Sequence, residues 1–181
     1  MRIISGTHKS RQIHAPSGLP VRPTTDLAKE ALFNILVNNF DLESVFVLDL
    51  FAGTCNITYE FASRGSLGIT SIDLDLRCVS FIRKTAENLG FETILSFRSD
   101  AFRFLRNTET KYDIIFCDPP YELEGIEGIP RLVMERNLLK PGGWLVLEHS
   151  RDYDFSAFEG FDQKRKYGKV NFSIFRESEV E

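Results

Sequence analysis

The sequence predicts an α/β fold: a mostly parallel sheet with helices on both faces, ended by an antiparallel hairpin. Three observations predict it. Near-continuous apolar runs, of which residues 45–50 (VFVLDL) are the clearest, read as strands buried on both faces. These runs alternate with helical stretches as far as residue 148, which calls for right-handed crossovers. Four of them end at an acid, namely Asp49, Asp73, Asp100 and Asp118. Ligands of such sheets bind beyond the carboxyl ends of the strands. One acid at a strand end is ordinary turn chemistry; four in succession converge on one rim.

Residues 1–22 read as a short hairpin or arm, with weak alternation at 2–5 and 11–14 around a Gly6-Thr7-His8-Lys9 turn. Pro16, Gly18, Pro20 and Pro23 then enforce irregular backbone. Thr24, Thr25 and Asp26 offer an N-cap, and apolar residues at 27, 31, 32, 35 and 36 predict a helix to about Phe40. After the first strand a turn, Phe51-Ala52-Gly53-Thr54, leads into a helix ending near Arg64. Residues 68–73 (GITSID) make a second strand, followed by a helix over about 75–89. A weaker third strand spans 93–99, with a short helix over 101–106. Residues 113–117 (DIIFC) form the fourth strand, which runs into Asp118-Pro119-Pro120-Tyr121. A helix near 126–138 precedes the turn Lys140-Pro141-Gly142-Gly143 and a fifth strand, 144–148 (WLVLE). The last segment reads as a hairpin, 161–167 and 170–176, around Gly168-Lys169.

With 181 residues, 43% hydrophobic and 27% charged, the chain has the composition of one globular domain, which excludes disordered and fibrous classes. Sixteen Phe against one Trp predict a core rich in phenyl rings. The net charge of −4 is uneven: residues 1–25 carry Arg2, Lys9, Arg11 and Arg22 and no acid, so the remainder carries −8. A basic edge on an acidic body suits directional contact with a polyanion. Cys55, Cys78 and Cys117 are odd in number and lack CxxC spacing or a matching His, which argues against a disulfide framework or a metal site and for reduced thiols. No apolar run approaches membrane-spanning length and no signal-type apolar stretch opens the chain, so a cytoplasmic location is expected.

The strongest local signal is Asp118-Pro119-Pro120-Tyr121. An exocyclic amine on a nucleobase is a poor nucleophile because its lone pair is delocalised into the ring. A carboxylate (Asp118) and a neighbouring carbonyl (that of Pro119) can accept from both N–H groups, align the nitrogen lone pair and stabilise the charge that develops on it. Two prolines hold that carbonyl in place, and Tyr121 offers a face for stacking the base. At the first strand end a single glycine, Gly53, survives; Cys55 and Thr58 occupy the other two positions of a G-x-G-x-x-G pattern. That argues against a pyrophosphate-containing cofactor. A cofactor without phosphates asks less of the loop. Gly53 suits passage beside a methionine-like tail, Asp73 a ribose diol, and Asp100 an adenine amine. Together these describe S-adenosylmethionine. The candidate cofactor contacts are Asp49, Phe51 and Gly53, then Asp73 and Leu74, then Asp100 and Ala101.

The chain resembles the RsmD family of bacterial 16S rRNA guanine-N2 methyltransferases over nearly its whole length. The residues that carry the resemblance are Arg2-Ile3-Ile4-Ser5-Gly6, Arg22-Pro23-Thr24-Thr25-Asp26 with Ala31-Leu32-Phe33-Asn34, and Asp49-Leu50-Phe51-Ala52-Gly53-Thr54. It continues through Ser63-Arg64-Gly65, Ser99-Asp100-Ala101, Asp118-Pro119-Pro120-Tyr121, Glu148-His149-Ser150 and Tyr167-Gly168. The resemblance implies a Rossmann-like, seven-stranded class I methyltransferase sheet over residues 23–181, with residues 1–22 as a basic arm. It implies methyl transfer from S-adenosylmethionine, leaving S-adenosylhomocysteine, to the N2 amine of one guanine in 16S rRNA, within a 30S subunit or an assembly intermediate, without metal or membrane. The family commonly has Gly where Cys55 stands, and often at Thr58, a departure that bears on cofactor affinity more than on fold. Direct methyl transfer needs no cysteine nucleophile.

The expected catalytic set is Asp118, Pro119, Pro120 and Tyr121. Arg2, Lys9, Arg11 and Arg22, with Lys164, Arg165 and Lys166, are the candidate RNA contacts; for the last three a merely solvated hairpin is the competing reading. His149 reads as structural, although its position allows it to face the rim. Phe102 and Phe104 read as core, with Phe102 able to flank an adenine. Two rivals stay open: an amino-methyltransferase acting on another base or on DNA, and a non-catalytic ribosome-assembly factor on the same fold.

Overall fold

A computed structural model describes residues 1–19 and 25–177. Arg22, with the rest of 20–24, and the acidic end after 177 lie outside the described residues. A seven-stranded sheet runs in the order β3-β2-β1-β4-β5-β7-β6. Its strands are β1 (Phe46–Leu50), β2 (Gly68–Asp73), β3 (Ile94–Arg98), β4 (Tyr112–Cys117), β5 (Leu139–His149), β6 (Phe161–Tyr167) and β7 (Val170–Arg176). The first five are parallel, and β7 enters antiparallel between β5 and β6. Strand order reverses between β1 and β4, so a crevice opens there at the carboxyl ends.

The helices are α1 (Asp26–Val37), α2 (Asn56–Ser63), α3 (Leu76–Leu89), α4 (Ala101–Asn107) and α5 (Gly128–Glu135). One face of the sheet packs Val47, Ile114, Phe116 and Phe172 under the arm, α1, α2 and α3. The opposite face packs Leu48, Leu50, Ile72, Ile115 and Leu145 under α4, α5 and Phe155. Alternate residues of β1 serve the two faces, which is why the strand reads as a continuous apolar run.

Thr25 caps α1, its hydroxyl accepting the Ala28 amide at 3.3 Å. The helix stops at Val37, short of Phe40. The side-chain Nδ2 groups of Asn38 and Asn39 donate to the carbonyls of Asn34 and Ile35, both at 2.8 Å, and such local bonds compete with helix propagation. Its buried side also differs from the apolar spacing: Ala28, Lys29, Leu32, Phe33 and Leu36 are inside, whereas Leu27 is 70% exposed. A charged residue facing inward displaced the stripe. The fifth helix is shorter than expected as well, because Asn137 takes a left-handed conformation and the Leu138 amide turns back to Val133. Strand β5 begins earlier, at Leu139. Leu139 pairs with Tyr112, pairing resumes at Trp144 with Ile114, and the Lys140–Gly143 turn is looped out between them as a bulge.

The arm folds back on itself through one β-bridge, Arg2 to Gln12, and buries Ile3 and Ile13 in the core under α1 and α2. Its turn rests on the end of α2: the Thr7 amide donates to the Ser63 carbonyl at 2.7 Å and the His8 amide to the Ser63 hydroxyl at 2.9 Å. A Cβ on Gly6, where φ is +82°, would lie 1.8 Å from the Ser63 carbonyl oxygen, so this contact demands glycine.

Candidate active site

The carboxyl ends of β2, β1, β4 and β5 form a rim, and the residues following each strand build it. After β1 the chain turns through three left-handed residues, Phe51 (φ 58°), Gly53 (φ 55°) and Cys55 (φ 64°). The turn is tied to β2 twice: the Ala52 amide donates to the Ile72 carbonyl at 3.0 Å and the Gly53 amide to Asp73 Oδ2 at 2.8 Å. Asp73 Oδ1 accepts the Asp75 amide at 2.8 Å. The carboxylate is thus braced by one backbone bond to each oxygen, and each oxygen retains a lone-pair direction for a ligand. Leu74 beside it is 63% exposed. Asp100 caps α4, accepting the Arg103 amide at 2.8 Å, while remaining exposed; Ala101 behind it is buried.

Asp49 lies under this surface, buried to 2% exposure. Thr58 donates its hydroxyl to Asp49 Oδ2 at 2.6 Å and also meets the Ser71 hydroxyl at 2.9 Å. Burial pushes the Asp49 carboxyl up to about 7, with the charges of Asp118 and Asp73 adding to the rise and the Thr58 bond opposing it. Asp49 therefore sits below the rim as a support of the turn, whereas Asp73 and Asp100 stand at its surface. The thiols of Cys55 and Cys117 are fully buried, and burial raises both well above the ordinary range. A thiolate nucleophile has no place here.

After β4, the Asp118 amide reaches the Leu50 carbonyl at 3.4 Å, holding Asp118-Pro119-Pro120-Tyr121 directly beside the turn that follows β1. Asp118 is half-buried, Pro119 buried, and Tyr121 43% exposed. The Pro120 carbonyl accepts the Leu123 amide at 2.9 Å and closes the turn. Asp73, Gly53, Asp49 and Asp118 are thus brought together around the switch point, with Asp100 at the next strand end.

His149 does not face the rim. It is buried to 1% exposure, with Nδ1 2.7 Å from the Ser150 carbonyl and Nε2 2.8 Å from the Ser173 hydroxyl. The carbonyl can only accept, so Nδ1 donates and Nε2 accepts from Ser173. Burial lowers its pKa, which keeps the ring neutral. Phe102 and Phe104 pack into the core on the α4–α5 face, and Phe102 abuts Gly128 of α5.

The candidate RNA contacts are spread more widely. Lys164, Arg165 and Lys166 are exposed on β6, which runs parallel to β5, so their hairpin turn lies at the rim end. It is three strands from β4, about 14 Å at ordinary strand spacing. Arg165 turns toward α1, lining a groove with Ala31, Asn34 and Ile35. Arg2 lies near the start of α2 and pairs weakly with Asp26 at 3.6 Å. Arg11, opposite Ile3, is exposed. Lys9 belongs to the arm's turn over Ser63, at the far end of α2 from the rim.

A cluster missed in the sequence joins these parts. Lys29 and Glu60 are both fully buried, 3.5 Å apart, and Arg64 adds a 2.8 Å bond to Glu60. The available signal was the second stripe on α1, 28, 29, 32, 33 and 36, which also has helical spacing but contains a lysine. Among the described residues there is no His, Cys, Asp or Glu group able to hold a metal, and no helix long and apolar enough to cross a membrane.

Residues 1–176 match the family model described as "Conserved hypothetical protein 95". The "Putative rRNA methyltransferase YlbH" of Bacillus subtilis is 32% identical over 183 residues, covering 97% of this chain and 98% of that protein. The ribosomal RNA small subunit methyltransferase D of Escherichia coli K12 is 33% identical over 150 residues, 82% of this chain and 71% of its own. Among solved structures, the "Putative methyltransferase yhhF from Escherichia coli" superposes with a TM-score of 0.84 at 27% identity, over 97% of both chains. Fold, rim and full-length match agree: this chain belongs to the conserved hypothetical protein 95 family, the RsmD family of methyltransferases that its motifs resemble.

Proposed function

We propose that this protein transfers a methyl group from S-adenosylmethionine to the exocyclic N2 amine of one guanine in 16S rRNA. The observation that carries the reading is the adjacency of two strand ends: the Asp118 amide bonds to the last residue of β1, so the amine-orienting motif abuts the turn that Asp73 braces. The rim fits the cofactor. Asp73 has acceptor capacity for a ribose diol, exposed Leu74 lies beside it for the adenine, and Asp100 faces solvent at the next strand end. Gly53 and Phe51 shape the path for the methionine tail, Ala101 backs the adenine side, and Asp49 supports the turn from below. When bound, the cofactor supplies an electrophilic methyl group.

The remaining chemistry belongs to the chain. The Asp118 carboxylate and the Pro119 carbonyl accept the two N–H groups of the amine and point its lone pair toward the methyl carbon. Positive charge that develops on nitrogen is stabilised by Asp118, and the proton leaves to Asp118 or to water. Pro120 stiffens the turn, and Tyr121 stacks on a base splayed from its neighbours, as an RNA loop nucleotide is. Arg2, Arg11, Lys164 and Lys166 flank the approach, and Arg22 completes the basic set of the arm. The arm, residues 1–22, acts as the RNA-facing element on the domain of 23–181. An rRNA or 30S substrate places the enzyme in the cytoplasm.

The test is to map base methylation in 16S rRNA from a deletion strain complemented with wild type or with Asp118→Ala. One guanine N2 methyl should be lost on deletion, restored by wild type, and absent with Asp118→Ala although that variant still binds the cofactor. A methyl missing from an adenine, or no missing methyl at all, would refute the assignment.

A further inference from the structure

Lys29 and Glu60 are the most buried charged pair among the described residues, both at 0% exposure, and no proposed catalytic step uses them. They join three parts of the chain. From α1, the Lys29 ammonium donates to the Arg2 carbonyl of the arm, and to Asn56 Oδ1 at 2.8 Å on the first residue of α2. From α2, Glu60 accepts the arm's Ile4 amide at 2.8 Å and Ser5 amide at 3.0 Å, with Arg64 bonding the same carboxylate. A buried ion pair is weak support for stability, since apolar residues of similar volume often do as well. What such a pair does supply is a defined arrangement of the segments it joins. Here one segment is the arm, which these bonds anchor together with the burial of Ile3 and Ile13 and the contacts of its turn with Ser63. Another is Asn56, which directly follows Cys55, the left-handed last residue of the turn after β1.

We infer that the Lys29–Glu60 pair couples docking of the N-terminal arm to the shape of the 51–55 turn, so that cofactor binding and arm order reinforce one another; this rests on that turn holding the cofactor. Lys29 and Glu60 are positioning residues in this arrangement. An undocked arm removes the Arg2 carbonyl from Lys29 and the Ile4 and Ser5 amides from Glu60, so the ammonium that also holds Asn56 Oδ1 shifts and the start of α2 shifts with it. A cofactor that holds the turn favours the docked arm by the same free energy, because coupling between two sites is reciprocal. The RNA-facing element and the cofactor site are thereby linked through the protein interior, by two buried side chains that are not themselves part of the rim.

Amide-resolved hydrogen exchange tests this with the wild-type protein. Saturating S-adenosylmethionine should slow exchange of the Ile4 and Ser5 amides by about fivefold or more, the low end of ordinary coupling. In Lys29→Met the slowing should vanish and the cofactor Kd should rise by about the same factor. A pair that merely stabilises the fold predicts slowing at Ile4 and Ser5 only through global unfolding, and so none while these amides exchange faster than the slowest core amides; the wild-type result decides even if Lys29→Met folds poorly. Asp73→Ala serves as the reference for the site. Unchanged exchange in a protein whose affinity does fall with Asp73→Ala overturns the coupling and leaves the cofactor site standing. Unchanged exchange with an affinity indifferent to Asp73→Ala overturns both.

Discussion

Asp73 accepts two backbone N–H bonds at 2.8 Å, from Gly53 and from Asp75, and is assigned the ribose diol as well. Asp73→Ala therefore has two separable effects. It leaves two half-exposed N–H groups without their charged acceptor, at about 1 kcal/mol each on the low side of the usual range. At about 2–4 °C per kcal/mol for a chain of this size, the loss of about 2 kcal/mol lowers Tm by about 4–8 °C. It also removes the ribose acceptor, worth about 1.5–3 kcal/mol, which is about ten- to a hundredfold in cofactor Kd. Calorimetry with S-adenosylhomocysteine and its 2′-deoxy analogue tells the two apart. In wild type the deoxy analogue should bind more weakly. In Asp73→Ala the two ligands should bind alike, because the partner of the missing hydroxyl is gone. Asp73→Asn should fall between, keeping one acceptor oxygen for one of the two backbone amides. An undiminished difference between the ligands in Asp73→Ala would show that Asp73 only braces the turn and that the diol is held elsewhere.

Three further outcomes follow from the same geometry. Because burial raises Asp49 from 3.8 to about 7, the folded state keeps a proton between those values that the unfolded state has lost, so Asp49 makes stability fall as pH rises from about 4 to about 7. Denaturant midpoints measured across that range should flatten in Asp49→Asn, and an equal slope in both proteins would refute the shift. Cys55→Ser should retain turnover, since the thiol is buried and protonated; loss of turnover with fold and cofactor affinity intact would give the thiol a role. Cys55→Gly relieves a left-handed side chain, about 1–2 kcal/mol, but removes a buried one, so its denaturation midpoint should move little. For RNA, each phosphate contact contributes about 0.7–0.9 to the slope of log affinity against log salt. Arg2→Ala with Arg11→Ala should flatten the slope by about 1.4–1.8, while Lys9→Ala, at the far end of α2, should leave it unchanged. The reverse pattern would place the RNA over the arm's turn instead of the rim.

Much of the candidate site's placement was legible because it depends on residue type at strand ends. A parallel strand buried on both faces must be apolar along its length, so the polar residue that ends it stands out, and topology alone brings Asp49, Asp73, Asp100 and Asp118 to one edge. The DPPY motif was legible for the same reason: prolines confine the backbone whatever surrounds them. Depth along the rim was not legible. Asp49 and Asp73 look alike in sequence, yet Thr58 and Ser71 close over the first while the second stays half-exposed, a difference set by how α2 packs on β1 and β2.

The sequence by itself determined the order of strands and helices, the hairpin at the end and the motif proposed to handle the amine, because hydrophobic period, caps and prolines act within a few residues. Only the tertiary structure decided which face of α1 turned inward. Apolar periodicity favoured 27, 31, 32, 35 and 36, of which Leu32 and Leu36 are inside; Leu27 is exposed and the chain buries Lys29, since a carboxylate 31 residues away on α2 and a carbonyl at residue 2 satisfy its charge. The arm's placement was decided the same way: its basic residues suggested one continuous edge, and its docking along α2 set Arg2 near the rim and Lys9 at the opposite end. Local preferences cannot foresee partners that meet only when distant segments pack, and it is those partners that make a buried charge affordable.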